Sequence, residues 1–501
     1  MRKTTIINII IFGILQLVTI IYGLVIPKIT IETYGSDING LISSIKQFVS
    51  MMAILELGIG SVSTYALYKP VNEQNHERIS SVYAAIKSHY RVIGLIFSLS
   101  LIMLSALFPL LNNSINLDYL YIMVLFLVIG ISSLLEYLFI GKYRALIRAQ
   151  NKEYVISAIQ ILVLILNFSI SIYLINQKFD ILLVYLFSTS VYFLRPILYK
   201  IYVYRNFELN DKAKPDNSAL SQKWDSFVHQ ISALIMSNID IVVITIMFSF
   251  SFVSVYTIYL MIFMALSRII NILTNSLTNA FGKIVSQNNL YRLRASYEKI
   301  EYIIILVSAI IYSSTALLIK PFLILYTSKF SDAEIYIIPL FISLFVVTEY
   351  VHKIKAAPNI LVTASGNFKS TKKNAIIETV LNLVFTIIGA VFLGFYGVVL
   401  GTLIALSYRL IDLNVFVSKA ILYSKPNKSF TKIFVNFVFL LAFVIIGFSY
   451  DIVMSSNYYE WILHSVLTVT ILSVLFSFIN FTIFNKDFIN TIIFIIGKRR
   501  I

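Results

Sequence analysis

An all-α polytopic membrane protein of about 14 transmembrane helices is predicted by three properties of this 501-residue sequence. Hydrophobic residues make up 58% of it and charged residues only 13%, roughly half the charged share of a soluble domain. The mean hydropathy is +0.86. Apolar runs of about 20 residues, the length of helix that crosses a bilayer core, recur along the chain with only 9 prolines among them. Finally, the basic residues are segregated by side, as described below.

The chain opens with "MRK" and passes into the apolar stretch Ile6 to Ile26. That stretch is too long for the core of a signal peptide and lacks a small-residue cleavage site, so it reads as the first span. The fourteen spans fall near 6–27, 40–66, 90–110, 118–141, 154–176, 180–204, 226–248, 252–282, 300–326, 333–353, 372–394, 396–420, 430–450 and 461–484. The eighth exceeds the bilayer thickness and is expected to project beyond it.

With the N-terminus placed inside and residues near span ends assigned to the side they face, four of the 40 basic residues fall outside (Lys28, Lys178, Lys320 and Lys329) and four are intramembrane. All the others lie on cytoplasmic segments. This asymmetry predicts that both termini are cytoplasmic. It also explains the formal charge of +16 as orientation in a membrane, so no nucleic-acid partner is expected. Trp224 and Trp461 are placed at opposite membrane edges, where amphipathic rings gather. The closing stretch "DFINTIIFIIGKRRI" is too short to span, and is expected along the inner leaflet with its basic tail toward anionic lipid.

The polar segment "RNFELNDKAKPDNSAL" (Arg205 to Leu220) separates two sets of six spans. In each set a short outer turn joins helices one and two, a basic segment follows helix two, and the sixth helix carries an arginine. The expected organisation is an N-terminal lobe over 1–204, a cytoplasmic linker over 205–220, and a C-terminal lobe over 221–420. Residues 421–501 hold two extra C-terminal helices and the basic tail. Pseudo-symmetric six-helix halves with a site between them are a recurrent transporter plan.

Four cations fall within spans: Lys46, Arg195, Arg268 and Arg409. Each costs roughly 3 kcal/mol or more at the membrane centre, and something must offset that cost. Lys46 stands six residues in from Gly40, about 9 Å at the helical rise, so its stem can snorkel to the surface. Arg195 precedes Pro196 and suits either a kink or a ligand. Arg409 has Asp412 at i+3, a spacing for a local ion pair. Arg268 lies deeper, in "FMALSRII", with no acid within four residues, and a cavity-facing functional role is favoured for it.

The intramembrane acids are Glu56, Glu136, Asp240, Glu349, Glu378 and Asp412. They can neutralise the cations, bind a coupling Na⁺ or H⁺, or relay protons. Glu349 and Lys353 are spaced for an i,i+4 pair. Asp240, Glu378 and Glu56 are the candidates for a coupling ion or a counter-charge. A cavity lined by cations calls for an anion, and guanidinium groups match phosphate oxygens in pairs.

Several motifs resemble the polysaccharide-transporter branch of the MOP superfamily, the multidrug/oligosaccharidyl-lipid/polysaccharide exporters. They are "YGSDINGL" (Tyr34 to Leu41), "ILELGIG" (Ile54 to Gly60), "ALYKPV" (Ala66 to Val71), His229, Asp240 and "VYTIY" (Val255 to Tyr259), within a resemblance covering about residues 1–420. The resemblance implies two six-helix lobes around a central cavity that opens inward and then outward. It implies a flippase for undecaprenyl-pyrophosphate-linked oligosaccharide repeat units, translocated from the inner to the outer leaflet for capsule or exopolysaccharide synthesis.

Basic residues on cavity-facing helices take the pyrophosphate in such flippases. Lys46 and Arg268 match by helix position, with Arg195 and Arg409 as further candidates. The implied partners are a lipid-linked anionic oligosaccharide, membrane lipid, and the glycosyltransferases and polymerase of the same polysaccharide. A monomeric transporter of the cell membrane is expected. The small-residue spacing "GVVLG" (Gly397 to Gly401) lets span 12 pack closely on a neighbour. Spans 13 and 14 are candidates for a groove that holds the prenyl chain.

Two rival readings remain. A multidrug or cation antiporter of the same superfamily would favour acids and aromatics in its cavity. A membrane polymerase or ligase would need a large outer loop or a carboxylate pair, and the outer loops are short. The sequence has no cysteine, so disulfides and thiolate metal sites are excluded. Its five histidines lack metal-ligand spacing, and no phosphate-binding loop or hydrolase motif is present. No catalytic residue, metal or organic cofactor is expected.

Overall fold

The computed structural model describes residues 2–56, 59–111, 114–210, 212–220, 224–287, 289–449 and 455–495. All regular structure among these residues is helical. Fourteen helices are long and apolar enough to cross a membrane, from Thr4–Tyr34 to Tyr458–Ile483. They correspond one for one with the predicted spans, and the chain is a multi-pass membrane protein. The tail residues Ile496 to Ile501, and Leu57 and Gly58 of the "ILELGIG" motif, lie outside the described residues. Trp224 begins the helix Trp224–Met247, but its side chain is not among those described.

Several helices start well before their apolar windows. His76–Leu107 and Leu290–Thr327 begin in polar sequence, where Asn75 and Asn289 accept hydrogen bonds from the Arg78 and Arg292 amides at 2.9 Å. These caps satisfy donors that an uncapped first turn leaves open. Hydropathy alone places such boundaries too late.

The chain divides into two compact units, Met1–Thr257 and Ile258–Ile501. The division falls later than the Arg205–Leu220 linker, inside the helix Phe250–Ser286. The seventh span and the start of the eighth therefore pack with the first six.

In the first unit a polar seam explains that placement. Asn39 donates to Ser254 at 2.7 Å, Ser44 shares a hydrogen bond with Thr245 at 2.8 Å, and Gln47 donates to Asn238 at 2.6 Å. Ser50 also donates to Asn238, and Ser251 donates to Asp37. Gly40 is required within this seam. A Cβ there would sit 1.7 Å from the Phe250 carbonyl oxygen, so only a hydrogen fits. The "YGSDINGL" motif is thus the segment that meets the start of the eighth span.

Spans 2, 4 and 6 of this unit change winding within their length. Span 2 runs as helix Ser36–Met51, tightens to a 3₁₀ turn over Met52–Glu56, and resumes as Ile59–Asn72. Span 4 contains a π turn over Glu136–Ile140. Span 6 has a 3₁₀ turn at Val191–Phe193 just before Arg195 and Pro196. Proline supplies no N–H to the preceding turn, which accounts for the change of winding.

In the second unit Phe368–Leu393 and Phe395–Phe416 form a tight hairpin about Gly394, whose φ is +63°. A Cβ on Gly397 would meet the Gly389 carbonyl oxygen at 1.9 Å, and one on Gly401 the Thr386 amide nitrogen at 2.3 Å. The close packing expected of "GVVLG" is therefore made against span 11. Spans 13 and 14 pack on the long ninth helix, Leu290–Thr327. Asn436 and Asn480 exchange amide hydrogen bonds there, at 3.0 Å and 3.3 Å, and the Tyr302 hydroxyl donates to Asn480 at 3.1 Å. The Trp461 indole donates to the Leu318 carbonyl at 3.1 Å, near the helix-interior Pro321.

Candidate functional site

Lys46 stands ten residues past Ser36, the first residue of its helix, about 15 Å along the axis. The helix starts four residues earlier than the sequence suggests. Its Nζ donates to the Tyr185 hydroxyl at 3.2 Å and lies 5.3 Å from the centre of that ring. Among the described residues no carboxylate pairs with it. Its side chain is exposed, whereas Tyr185 is buried. A cation held by a neutral aromatic wall keeps its full charge for a ligand.

Tyr22 and Tyr192 lie within electrostatic range of Lys46. Tyr192 is also the ring nearest the Arg195 guanidinium, 5.9 Å from its centre. Span 6 therefore carries Tyr185, Tyr192 and Arg195 in sequence along one region of the first unit. Arg195 itself is ion-paired. Its Nη2 lies 2.5 Å from Glu136 Oε2, while the other Glu136 oxygen is bonded by Arg144. Both guanidiniums share the one carboxylate at the start of the π turn.

The intramembrane acids Glu56 and Asp240 of this unit are also engaged. Glu56, the last residue of the 3₁₀ turn, accepts from the Tyr90 hydroxyl at 2.7 Å. Asp240 is 7% exposed and accepts from the Tyr256 hydroxyl at 2.7 Å. Asp240 thus has a partner on the eighth span, in the motif "VYTIY".

In the second unit Arg268 is half-buried, midway along the 37-residue helix Phe250–Ser286. Its neighbour Ser267 bonds Tyr312 at 3.4 Å and Glu349 at 3.5 Å. Glu349 lies 3.5 Å from the His352 imidazole, and Lys353 reaches Asn271 at 3.5 Å. The i,i+4 contact expected between Glu349 and Lys353 is replaced by the i,i+3 contact with His352.

Arg409 is 4% exposed and lies between two carboxylates. Its Nε is 3.3 Å from Glu378 and its Nη1 is 2.6 Å from Asp412. Lys355 reaches Glu378 at 2.6 Å, and Asn374 donates to Asp412. Two cations and two anions balance in this network. The sequence spacing anticipates Asp412 but not Glu378 or Lys355. Arg144 was counted only as an inner basic residue, and Tyr185 and Tyr192 carried no signal at all.

Among the described residues no group of three or more histidines, aspartates or glutamates is placed to hold a metal ion.

No protein-family model matches the chain, and no curated protein matches it in sequence. Solved structures do share its fold. The lipid II flippase MurJ in an inward closed conformation superposes with a TM-score of 0.71 at 16% identity, covering 94% of this chain and 99% of that one. An inward-facing multidrug resistance MATE family transporter of the MOP superfamily gives 0.60 at 14% identity, covering 87% and 98%. An outward-facing structure of such a transporter gives 0.55 at 14% identity, covering 88% and 96%. The chain has the fold of MOP-superfamily transporters over nearly its whole length.

Proposed function

We propose that this chain is a flippase. It carries an undecaprenyl-pyrophosphate-linked oligosaccharide repeat unit from the inner to the outer leaflet of the cell membrane, for capsule or exopolysaccharide synthesis. The observation that carries the reading is Lys46, an exposed cation within the second span whose direct partner is the Tyr185 hydroxyl and ring. Such a charge suits the diphosphate of a lipid-linked substrate, whose acyl chain remains in the bilayer while its head group crosses. The fold shared with MurJ supports the same class of substrate.

Lys46 and Arg268 are the residues assigned to the pyrophosphate, with Arg195 as an accessory. Arg409, enclosed by Glu378 and Asp412, is assigned to holding spans 10, 11 and 12 together. Glu378 is accordingly a counter-charge. Asp240 and Glu56, each bonded to a tyrosine hydroxyl, are the sites proposed for a coupling Na⁺ or H⁺. The basic-residue asymmetry supports cytoplasmic termini. The transporter is proposed to act as a monomer, alongside the glycosyltransferases and polymerase of its polysaccharide.

One observation favours a second reading. The buried Asp240–Tyr256 pair would suit an organic cation, and the MATE transporters share the fold. Complementation of a flippase-deficient strain, with chemically defined repeat units, separates the two. Restored polymer supports the flippase; drug export without polymer supports the antiporter.

A further inference from the structure

The two span-6 and span-12 arginines differ in stoichiometry. Arg409 is one guanidinium between two carboxylates, so removing it strands an acid. Arg195 is one of two guanidiniums on a single carboxylate, Glu136. If Arg195 leaves, Glu136 keeps Arg144. Each arginine also has a buried Nε with no hydrogen-bond partner, so Glu136 does not satisfy either cation fully. The site holds more donor capacity than its resident anion uses.

Resting on the flippase reading, we propose that Glu136 is a built-in competitor for the anionic head group. Glu136 holds Arg195 while the site is empty. A phosphate oxygen of the substrate takes Arg195 over, and Arg144 retains the carboxylate. Tyr192, 5.9 Å from the Arg195 guanidinium, lies on the same span as the Tyr185 that holds Lys46. The ligand proposed for the exchange is the diphosphate head group.

Such exchange answers a general requirement of transport. An unopposed cationic pocket would bind a diphosphate tightly and release it slowly. A site must bind well enough to load and weakly enough to unload. Trading one ion pair for another keeps the free-energy change small in both directions. Glu136 is a positioning residue on this account, since it acts through Arg195.

The test is binding of farnesyl pyrophosphate, with inorganic pyrophosphate in parallel, to the purified full chain in nanodiscs by calorimetry. Glu136→Gln is expected to bind at least about tenfold more tightly, the scale of one charge-assisted hydrogen bond, and to transport more slowly. Arg195→Gln is expected to weaken binding, and the double variant Glu136→Gln/Arg195→Gln to match Arg195→Gln alone. Arg144→Gln, which leaves Glu136 dependent on Arg195, is expected to weaken binding too. It serves if Glu136→Gln does not fold.

Unchanged or weaker binding by Glu136→Gln, or unchanged binding by Arg144→Gln, overturns the proposal. If Lys46→Ala weakens binding in that same experiment, the flippase reading survives the loss. Wild-type binding by Lys46→Ala instead removes the reading itself.

Discussion

Ser44 and Thr245 share a buried hydrogen bond of 2.8 Å, joining the second span to the seventh across 201 residues of sequence. Asn39–Ser254 and Gln47–Asn238 lie on either side of it. Small hydroxyl and amide side chains of this kind let helices approach closely and part again at modest cost, about 0.6 kcal/mol per hydrogen bond in a membrane.

The seam is therefore expected to separate during transport. Ser44→Cys/Thr245→Cys places two thiols within disulfide range in a chain with no native cysteine. Oxidation of this variant should stop transport and reduction should restore it. Unimpaired transport by the oxidised protein would show that the seam is static.

Lys46→Ala should lower transport by at least about tenfold, and Lys46→Arg should retain part of it, because charge is the property required. Protein yield and monodispersity should match wild type, since the side chain is exposed. Transport assays on equal amounts of membrane protein check both statements.

Arg409→Ala should behave in the opposite way. Asp412 loses its ionic partner while Glu378 keeps Lys355, and an uncompensated buried charge costs about 3–5 kcal/mol. Folded yield and thermal midpoint should fall together. A stable, transport-deficient Arg409→Ala would instead return Arg409 to the substrate site.

Gly397→Leu should prevent the span 11–12 hairpin from closing, because even a Cβ would lie 1.9 Å from a backbone oxygen. Backbone cannot move aside as a flexible side chain can, so the expected loss is of folding itself. Recovery of normal yields of folded protein would contradict the packing described.

The spans were legible because apolar length and basic-residue placement are properties of contiguous sequence. Arg409–Asp412 was legible for the same reason, being three residues apart. Arg195–Glu136 was not, since 59 residues and two helix windings separate them. The start of the second helix is not legible, because Ser36, Asp37 and Asn39 are polar yet helical. Hydropathy assigned those residues to a loop, and the hydrogen bonds that Asp37 and Asn39 make to span 8 explain why they are helix. The break after Met51 was equally hidden, because the 3₁₀ turn over Met52–Glu56 carries no proline or glycine.

The central claim is tested most directly by reconstituting the chain in vesicles whose inner leaflet alone carries an undecaprenyl-pyrophosphate-linked oligosaccharide. Arrival of the sugar at the outer leaflet is followed with a membrane-impermeant lectin. Wild-type protein should expose the glycan, and Lys46→Ala/Arg268→Ala, folded to the same extent, should leave it hidden. Equal exposure by both proteins would contradict a cationic site for the pyrophosphate.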